Sequence, residues 1–432
     1  MEESDYVLVC NQELEDESME SQSEHKFLNS INVFIEGISD ELWTINRKIH
    51  DNPELGYEEY KAHALLTSFL TSKKGWKVTT SAYGMDTAWV AVYDSGERGP
   101  VVSLNVEMDA LPGMGHACGH NLIATASLAG GLAIAELMER EQLQGKLVLF
   151  GTPAEEGGGG KIRLLEAGAY RDHDVDVSLI SHPGSLHDSA LVHTTGYTRF
   201  KAEFFGREAH AATSPWLGIN ALDALVIAYN GLSVLRQQTM PGDIIQGYIS
   251  DGGTAPQVIP AYAAGIFVVR ANSPSYLHAP SRLQQLREKV EACFRAGAEA
   301  TGAELKITVE EAYAEHVPNR VLAASYAKYW NVLDPPNVGS VQQDIHIGAS
   351  TDQGDVSHAM PSLNASFSIM PGPGGGGPHT PGFEKASGTK DAFHRCLRTG
   401  KALAGTAVEI LATKGLLDEV MDQWKKDMMK SE

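Results

Sequence analysis

Residues 101–121, with the sequence VVSLNVEMDALPGMGHACGHN, contain a strand, a polar loop and the start of a helix. The apolar run Val101–Val106 is typical of a buried strand, and a helix of small residues is predicted to begin near Asn121. The same order recurs downstream, where a strand, a helix and a second strand are predicted at residues 146–150, 162–167 and 175–181. Strands that alternate with helices in this way predict a parallel α/β sheet.

The pattern changes after about Thr195. Four strands and two helices follow in the order βαββαβ, predicted at residues 198–205, 216–236, 244–249, 263–271, 281–301 and 304–311. This order is typical of ferredoxin-like α+β domains. After residue 312 the alternation of helices and strands seen in the first part of the chain returns. We therefore predict a discontinuous three-layer αβα domain, residues 26–195 and 313–432, with a small α+β domain inserted at residues 196–312.

Charge is unevenly distributed along the 432 residues. The net charge is −21, but nine acidic residues and no Lys or Arg lie within residues 1–25, which we predict to be a disordered tail. The remaining chain carries −12, and this acidity disfavours nucleic acid and anionic membranes as partners. Four cysteines are too few for a disulfide scaffold, so we expect a reducing, cytoplasmic environment. We expect no transmembrane helix and no signal peptide.

Polar residues follow the predicted parallel strands where those strands end. They are Asp109, Cys118, His120, Glu155, Glu156 and His182, and a further imidazole, His379, follows a second run of glycines. Because ligands bind beyond the carboxyl ends of parallel strands, we expect these side chains to converge. A thiolate, imidazoles and carboxylates together form a zinc-compatible set. Taken singly, His182 could instead be a hydrogen-bonded core residue and the Glu pair a solvated surface.

The adjacent Glu155 and Glu156 are expected to point in different directions from an extended or turn backbone. One of them can then bind a metal while the other faces a water molecule as general base. The glycines at 157–160 would let the backbone pass close to such a site.

Five motifs in the same order resemble metallopeptidase family twenty. They are the segments HACGHN (116–121), EE (155–156), HP (182–183), GREAHA (206–211) and HTP (379–381). More narrowly, they resemble its aminoacylase or amidohydrolase branch, which includes hippurate hydrolase, auxin-conjugate hydrolases and a β-alanyl-lysine type dipeptidase. The resemblance runs from about residue 31 to residue 412. It implies a zinc-peptidase-like catalytic domain with an inserted lid or dimerisation domain, and hence a homodimer.

The resemblance also implies a role for each matching residue. Two divalent metal ions, Zn²⁺ first and Mn²⁺ or Co²⁺ as alternatives, would be held by Cys118, His120, Glu156, His182 and His379. Glu155 would be the general base, and Asp109 would orient a ligating imidazole, although it could instead be a structural aspartate that caps a turn. His210 would stabilise the oxyanion, in several members from the partner subunit. Arg270 and Asn272 resemble positions that hold the substrate's carboxylate or carbonyl, although Arg270 could equally be an ion-pair partner.

The function implied is hydrolysis of the amide bond of an N-acyl amino acid or small dipeptide by a metal-bound water. The same site could instead run amide-bond formation, and a binding or regulatory protein without activity is a third alternative. A protein without activity is expected to have lost a metal ligand or the general base. All five proposed ligands and the proposed base Glu155 are present in this chain. Other branches have a His-x-Asp motif where this chain reads Glu107-Met108-Asp109, so the resemblance assigns no metal role to Glu107. Asp352 matches a loop that lines the site, without a defined role.

Overall fold

The computed structural model describes residues 27–185, 187–271, 282–333, 341, 344–370 and 375–431. The acidic tail predicted at residues 1–25 lies outside these residues, and so does Asn272. Within them the chain forms a six-stranded sheet flanked by helices, a four-stranded sheet with two helices, and a small two-stranded sheet.

The first part of the chain supplies five of the six strands of the larger sheet. Its elements are α1 (27–37), α2 (Ser39–His50), α3 (Tyr60–Thr71), β1 (Trp76–Thr80), β2 (Trp89–Asp94), β3 (Val101–Glu107), α4 (His120–Glu141), β4 (Lys146–Thr152), α5 (Gly160–Glu166), α6 (Ala169–Asp172), β5 (Val177–Gly184) and β6 (Leu191–His193). Strand β3 is buried along its whole length, as a parallel strand covered by helices on both faces must be.

The inserted part folds around its own core. Its elements are β7 (Gly196–Phe205), α7 (Ala221–Leu235), β8 (Ile244–Asp251), β9 (Tyr262–Ala271), α8 (Arg282–Thr301) and β10 (Glu304–Tyr313). The strands are antiparallel in the order β10-β7-β9-β8, and the rings of Phe200, Phe267 and Phe294 pack together beneath them. This order is that of a ferredoxin-like domain.

The last part of the chain completes the larger sheet. Its elements are α9 (Arg320–Val332), β11 (Asp344–His346), α10 (Gln353–Ala359), β12 (Ser362–Ser368), α11 (Pro381–Ser387), α12 (Lys390–Ala412) and α13 (Leu416–Ser431). The larger sheet has the order β1-β2-β4-β3-β5-β12, in which β4, β3, β5 and β12 run parallel. Their carboxyl ends therefore share one edge. The predicted fold, an αβα domain interrupted by an α+β domain, is confirmed.

Helix α4 lies at the centre of the larger domain, against β3 and α12. By length and composition it could cross a membrane, but 94% of the apolar window is buried inside the protein. Its apolar side chains belong to the same core cluster as those of the sheet. Within the described residues it is therefore a core helix.

The structure differs from the predictions at two places. Strands β1 and β2 form an antiparallel pair that the sequence analysis did not predict; β1 is a short, largely exposed edge strand, and β2 lies between it and β4. The helix predicted to start at Trp216 begins instead at Ala221. Gly218 has an extended backbone there, and the Asn220 side chain caps the helix by accepting two backbone N–H groups.

Candidate metal centre

The carboxyl ends of three parallel strands bring most of the predicted site residues together. The loop after β3 carries Asp109 and Cys118 and leads directly into His120, the first residue of α4. The pair Glu155–Glu156 follows β4, and His182 lies near the end of β5. The expected convergence of these side chains is therefore present in the structure.

His379 reaches the same place from the last part of the chain. Its backbone N–H donates to the carbonyl of Ala117 over 2.8 Å, which places it beside Cys118. Its φ of 66° lies in the left-handed region, which non-glycine residues rarely occupy. Such backbone conformations persist only where the surrounding structure imposes them, often at functional sites.

Two glycines beside the cluster are required by close packing. Gly119 precedes α4 with a φ of 83°, and a Cβ on it would lie 2.6 Å from Cγ of Pro183. A Cβ on Gly160, the first residue of α5, would lie 1.8 Å from the carbonyl oxygen of Pro153. The glycine-rich turn thus folds back onto the segment that carries Glu155, at a distance only glycine allows.

Hydrogen bonds orient the imidazoles of the buried His120 and the partly buried His182. Nδ1 of His120 lies 3.0 Å from Oδ1 of Asp109, and Nδ1 of His182 lies 2.8 Å from the carbonyl oxygen of Pro183. Because both partners only accept, each Nδ1 is the donor, and each Nε2 is the ring nitrogen left available to a metal. Metal-binding histidines are commonly held in this way.

Two overlapping groups of potential ligands share the sulfur of Cys118. One contains Cys118, His120 and His182, the other Cys118, Glu156 and His379, and within each group the ligand atoms lie within 4.8 Å of one another. The sulfur is 3.3 Å from Nε2 of His182, and Nε2 of His379 is 3.4 Å from Oε2 of Glu156. Two neighbouring groups with a shared ligand suit a pair of metal ions.

Buried atoms without partners indicate that a cation fits here. Nε2 of His120 and Oε1 of Glu156 are buried 3.7 Å apart, and neither has a hydrogen-bond partner among the described residues. Buried polar atoms are nearly always paired, because an unpaired one costs about 1–3 kcal/mol. A metal ion would satisfy both lone pairs, so this donor set fits a metal.

Burial also shifts the ionisation of the cluster. It raises the pKa of Glu155 well above the usual range, and the carboxylates of Glu107 and Glu156 raise it further. A carboxyl group whose pKa is raised takes up a proton more readily than an exposed one, as a general base must. Burial raises the pKa of the Cys118 thiol as well, with Glu156 adding to the effect. Metal binding must therefore displace a proton from Cys118.

Two predicted residues, His210 and Arg270, are not part of this cluster. His210 lies on the exposed loop after β7, where its Nδ1 accepts the backbone N–H groups of Ala212 and Thr213. Arg270 is half-buried near the end of β9, donates to Oγ of Ser350 over 2.8 Å and stacks on the ring of Tyr197. Asn272 lies outside the described residues.

Sequence reasoning missed two groups at the site. The fully buried Lys161 forms ion pairs with Glu107 and Asp352. The hydroxyl of Tyr313, at the end of β10, lies 3.0 Å from the backbone carbonyl of Glu155, so the inserted domain contacts the segment that bears the predicted base. No local signal marks either residue, because both act through partners distant in the sequence.

Imidazoles, carboxylates and a thiol whose ligand atoms lie within 4.8 Å of one another in each group form the donor set that metal-dependent hydrolases use to activate water. The sequence profile of peptidase family M20/M25/M40 matches residues 103–405, more than half of the chain. The protein belongs to this family, and it is a hydrolase that acts on amide bonds.

Individual relatives agree with this assignment. The chain is 36% identical to the Xaa-Arg dipeptidase of Mus musculus over 405 residues, which cover 90% of each protein. It is 29% identical to one of the subunits of p-aminobenzoyl-glutamate hydrolase from Escherichia coli, over 66% of this chain and 59% of that one. Its fold is similar to that of a dinuclear metal-binding peptidase of the M20 family from Bacillus subtilis, with a TM-score of 0.66, 19% identity, and coverage of 88% and 99%.

Proposed function

We propose that the protein is a two-zinc amidohydrolase that cleaves dipeptides or N-acyl amino acids. The observation that carries this proposal is the pair of ligand groups that share Cys118, with the carboxyl group of Glu155 beside them. Its metal ligands would be Cys118, His120, Glu156, His182 and His379. A thiol among imidazoles favours zinc over harder cations.

When bound, the metal ions would polarise the amide carbonyl and acidify the attacking water. Glu155 would take the proton from that water, since its buried carboxyl holds a proton more readily than an exposed one. The same carboxyl would then deliver the proton to the leaving amine. The contact of Tyr313 with the Glu155 backbone would keep this side chain in place.

Dipeptides with a basic C-terminal residue are the first substrates to examine, because the relative that is 36% identical over 90% of its length is named Xaa-Arg dipeptidase. Arg270 and Asn272 would bind the substrate's carboxylate or carbonyl group. In the structure Arg270 already presents its guanidinium to a hydroxyl, that of Ser350, which a substrate carboxylate could replace.

We further propose a cytoplasmic homodimer formed through the inserted domain. Strand β8 is an edge strand with exposed Tyr248 and Ile249, and the neighbouring helix α7 exposes Val226 and Tyr229. Exposed apolar groups next to an open strand edge are typical of an association surface. His210 would then reach the site of the other protomer and stabilise the developing oxyanion.

Metal analysis combined with one isosteric substitution tests the proposal. The purified protein should contain two zinc ions per chain. It should hydrolyse members of a panel of dipeptides with a basic C-terminal residue, β-alanyl or γ-aminobutyryl dipeptides and N-acyl amino acids, with the products measured by mass spectrometry. Glu155→Gln should abolish turnover with metal content near that of the wild type. Glu136→Gln, the same change at an exposed position of α4, is the control. Full activity without metal would contradict the proposal.

A further inference from the structure

A buried ammonium group lies directly behind the metal centre. Nζ of Lys161 is 2.6 Å from Oε1 of Glu107 and pairs on its other side with Oδ1 of Asp352. None of the three residues is more than 1% exposed. Taking a lysine out of water is costly unless it is paired, and here two carboxylates compensate for the loss of hydration.

The second oxygen of Glu107 has no such partner. Oε2 lies 3.5 Å from Nε2 of His120, and neither atom has a hydrogen-bond partner among the residues described. Nδ1 of His120 is engaged by Asp109, so Nε2 is the ring nitrogen that faces Oε2 of Glu107. A cation between these two buried atoms would satisfy both of them.

A third group of potential ligands includes the same oxygen. Ligand atoms of Glu107, His120 and Glu155 lie within 4.8 Å of one another. This group shares His120 with the first group described above, so it adds a carboxylate to the same centre. Carboxylate oxygens bind divalent ions together with imidazole in many hydrolase sites.

The charges around the centre indicate the same arrangement. Five buried or nearly buried carboxyl groups surround it, from Glu107, Asp109, Glu155, Glu156 and Asp352, and Lys161 is the buried ammonium among the described residues that contacts them. A single ammonium leaves a large excess of negative charge. Two divalent cations would come close to balancing that excess.

We infer that Glu107 is a further oxygen donor of the metal centre and that Lys161 is the positioning residue that holds it there. Lys161 fixes one oxygen of Glu107, so the other stays turned toward His120. Asp352 secures Lys161 through both its ammonium and its backbone N–H, the latter over 2.9 Å. This inference rests on the proposed function, because it needs a metal in the centre.

Zinc affinity of the metal-free protein, measured by competition with a chromophoric chelator, tests the inference without any substrate. Glu107→Gln keeps the size of the side chain and an oxygen for Lys161 but removes the charge. We expect it to bind Zn²⁺ about 10- to 100-fold more weakly, with a lower kcat and little change in KM. Glu136→Gln, the same substitution at an exposed position of α4, is the matched control and should bind Zn²⁺ as tightly as the wild type.

Lys161→Met removes the positioning group and should also weaken Zn²⁺ binding. If that variant does not fold, the double variant Lys161→Met/Asp352→Asn removes one carboxylate together with the ammonium, and it should fold with the same weakened affinity. If a folded Glu107→Gln protein binds Zn²⁺ as tightly as the wild type, the inference is overturned while the proposed function stands. A wild-type protein that binds no Zn²⁺ would overturn the proposed function and the inference together.

Discussion

Asp109 lies 3.0 Å from Nδ1 of His120, and both side chains are completely buried. The other carboxylate oxygen of Asp109 accepts the backbone N–H of Glu156 over 3.0 Å. Asp109 therefore orients two parts of the site. These are the imidazole of His120 at the start of α4 and the backbone of the segment that follows β4. Its charge also requires the proton of the imidazole to be on Nδ1, which frees Nε2 for a metal.

Asp109→Asn should therefore impair the centre while preserving its shape. The amide can donate to Nδ1 of His120, which moves the ring proton to Nε2 and blocks the lone pair. We expect metal affinity to fall about 10- to 100-fold, measured by zinc competition, and activity to fall with it. Asp176→Asn is the control, because Asp176 also accepts a backbone N–H, that of Val101 at the other end of β3. Equal zinc affinity in the two variants would contradict the role of Asp109.

Gly160→Ala should distort the turn that carries the predicted base. Its Cβ would lie 1.8 Å from the carbonyl oxygen of Pro153, so the backbone has to move. We expect the free energy of unfolding to fall by about 1–3 kcal/mol and kcat to fall about 100-fold, since small displacements of catalytic groups are that costly. Urea unfolding and steady-state kinetics measure both effects. Gly37→Ala, at the end of α1 with open space around it, should not lower the free energy of unfolding and should leave kcat unchanged.

Much of the site could be predicted because its residues follow a simple rule of the fold. Parallel strands end at one edge, so Cys118, Glu155 and His182 had to lie near one another once their strands were recognised. The inserted domain could also be recognised, because the spacing of its apolar residues changes between that of a strand and that of a helix from one element to the next. The edge strand β1 was missed because it is only five residues long and largely exposed, which leaves a weak apolar signal.

Lys161 shows what the sequence could not indicate. It follows a run of four glycines, a setting in which a lysine is normally solvated. Its burial depends on Glu107 and Asp352, which lie 54 and 191 positions away along the chain. Only the folded chain brings these three charges together, so neither composition nor spacing predicts the ion pairs.

His316 should make the stability of the fold depend on pH. Its ring is fully buried, with Nδ1 2.8 Å from the carbonyl oxygen of Val192, and burial lowers its pKa from 6.5 to about 4. Between these values the unfolded chain binds more protons than the folded one. Stability is therefore unaffected above pH 6.5 and is lost as the pH falls toward 4.

His316→Asn keeps a donor for Val192 but removes this titration. The variant should be less stable than the wild type at pH 7, and the difference should shrink by about 2 kcal/mol at pH 5. Urea unfolding at the two pH values measures the change, with the same substitution at exposed His187 as the control. A difference that is the same at both pH values would contradict the buried neutral state of His316.

The last prediction tests the proposed dimer at the edge strand β8. Tyr248 is 58% exposed on this strand, and a charge there should prevent another strand or helix from packing against it. Tyr248→Lys should therefore elute as a monomer in size-exclusion chromatography with light scattering, whereas the wild type should have twice the mass of the chain. Val332→Lys, an exposed apolar position at the end of α9, is the control and should remain dimeric.

If His210 completes the site of the other protomer, the monomer should bind zinc normally and yet lose turnover. A fully active monomer would show instead that each chain catalyses on its own.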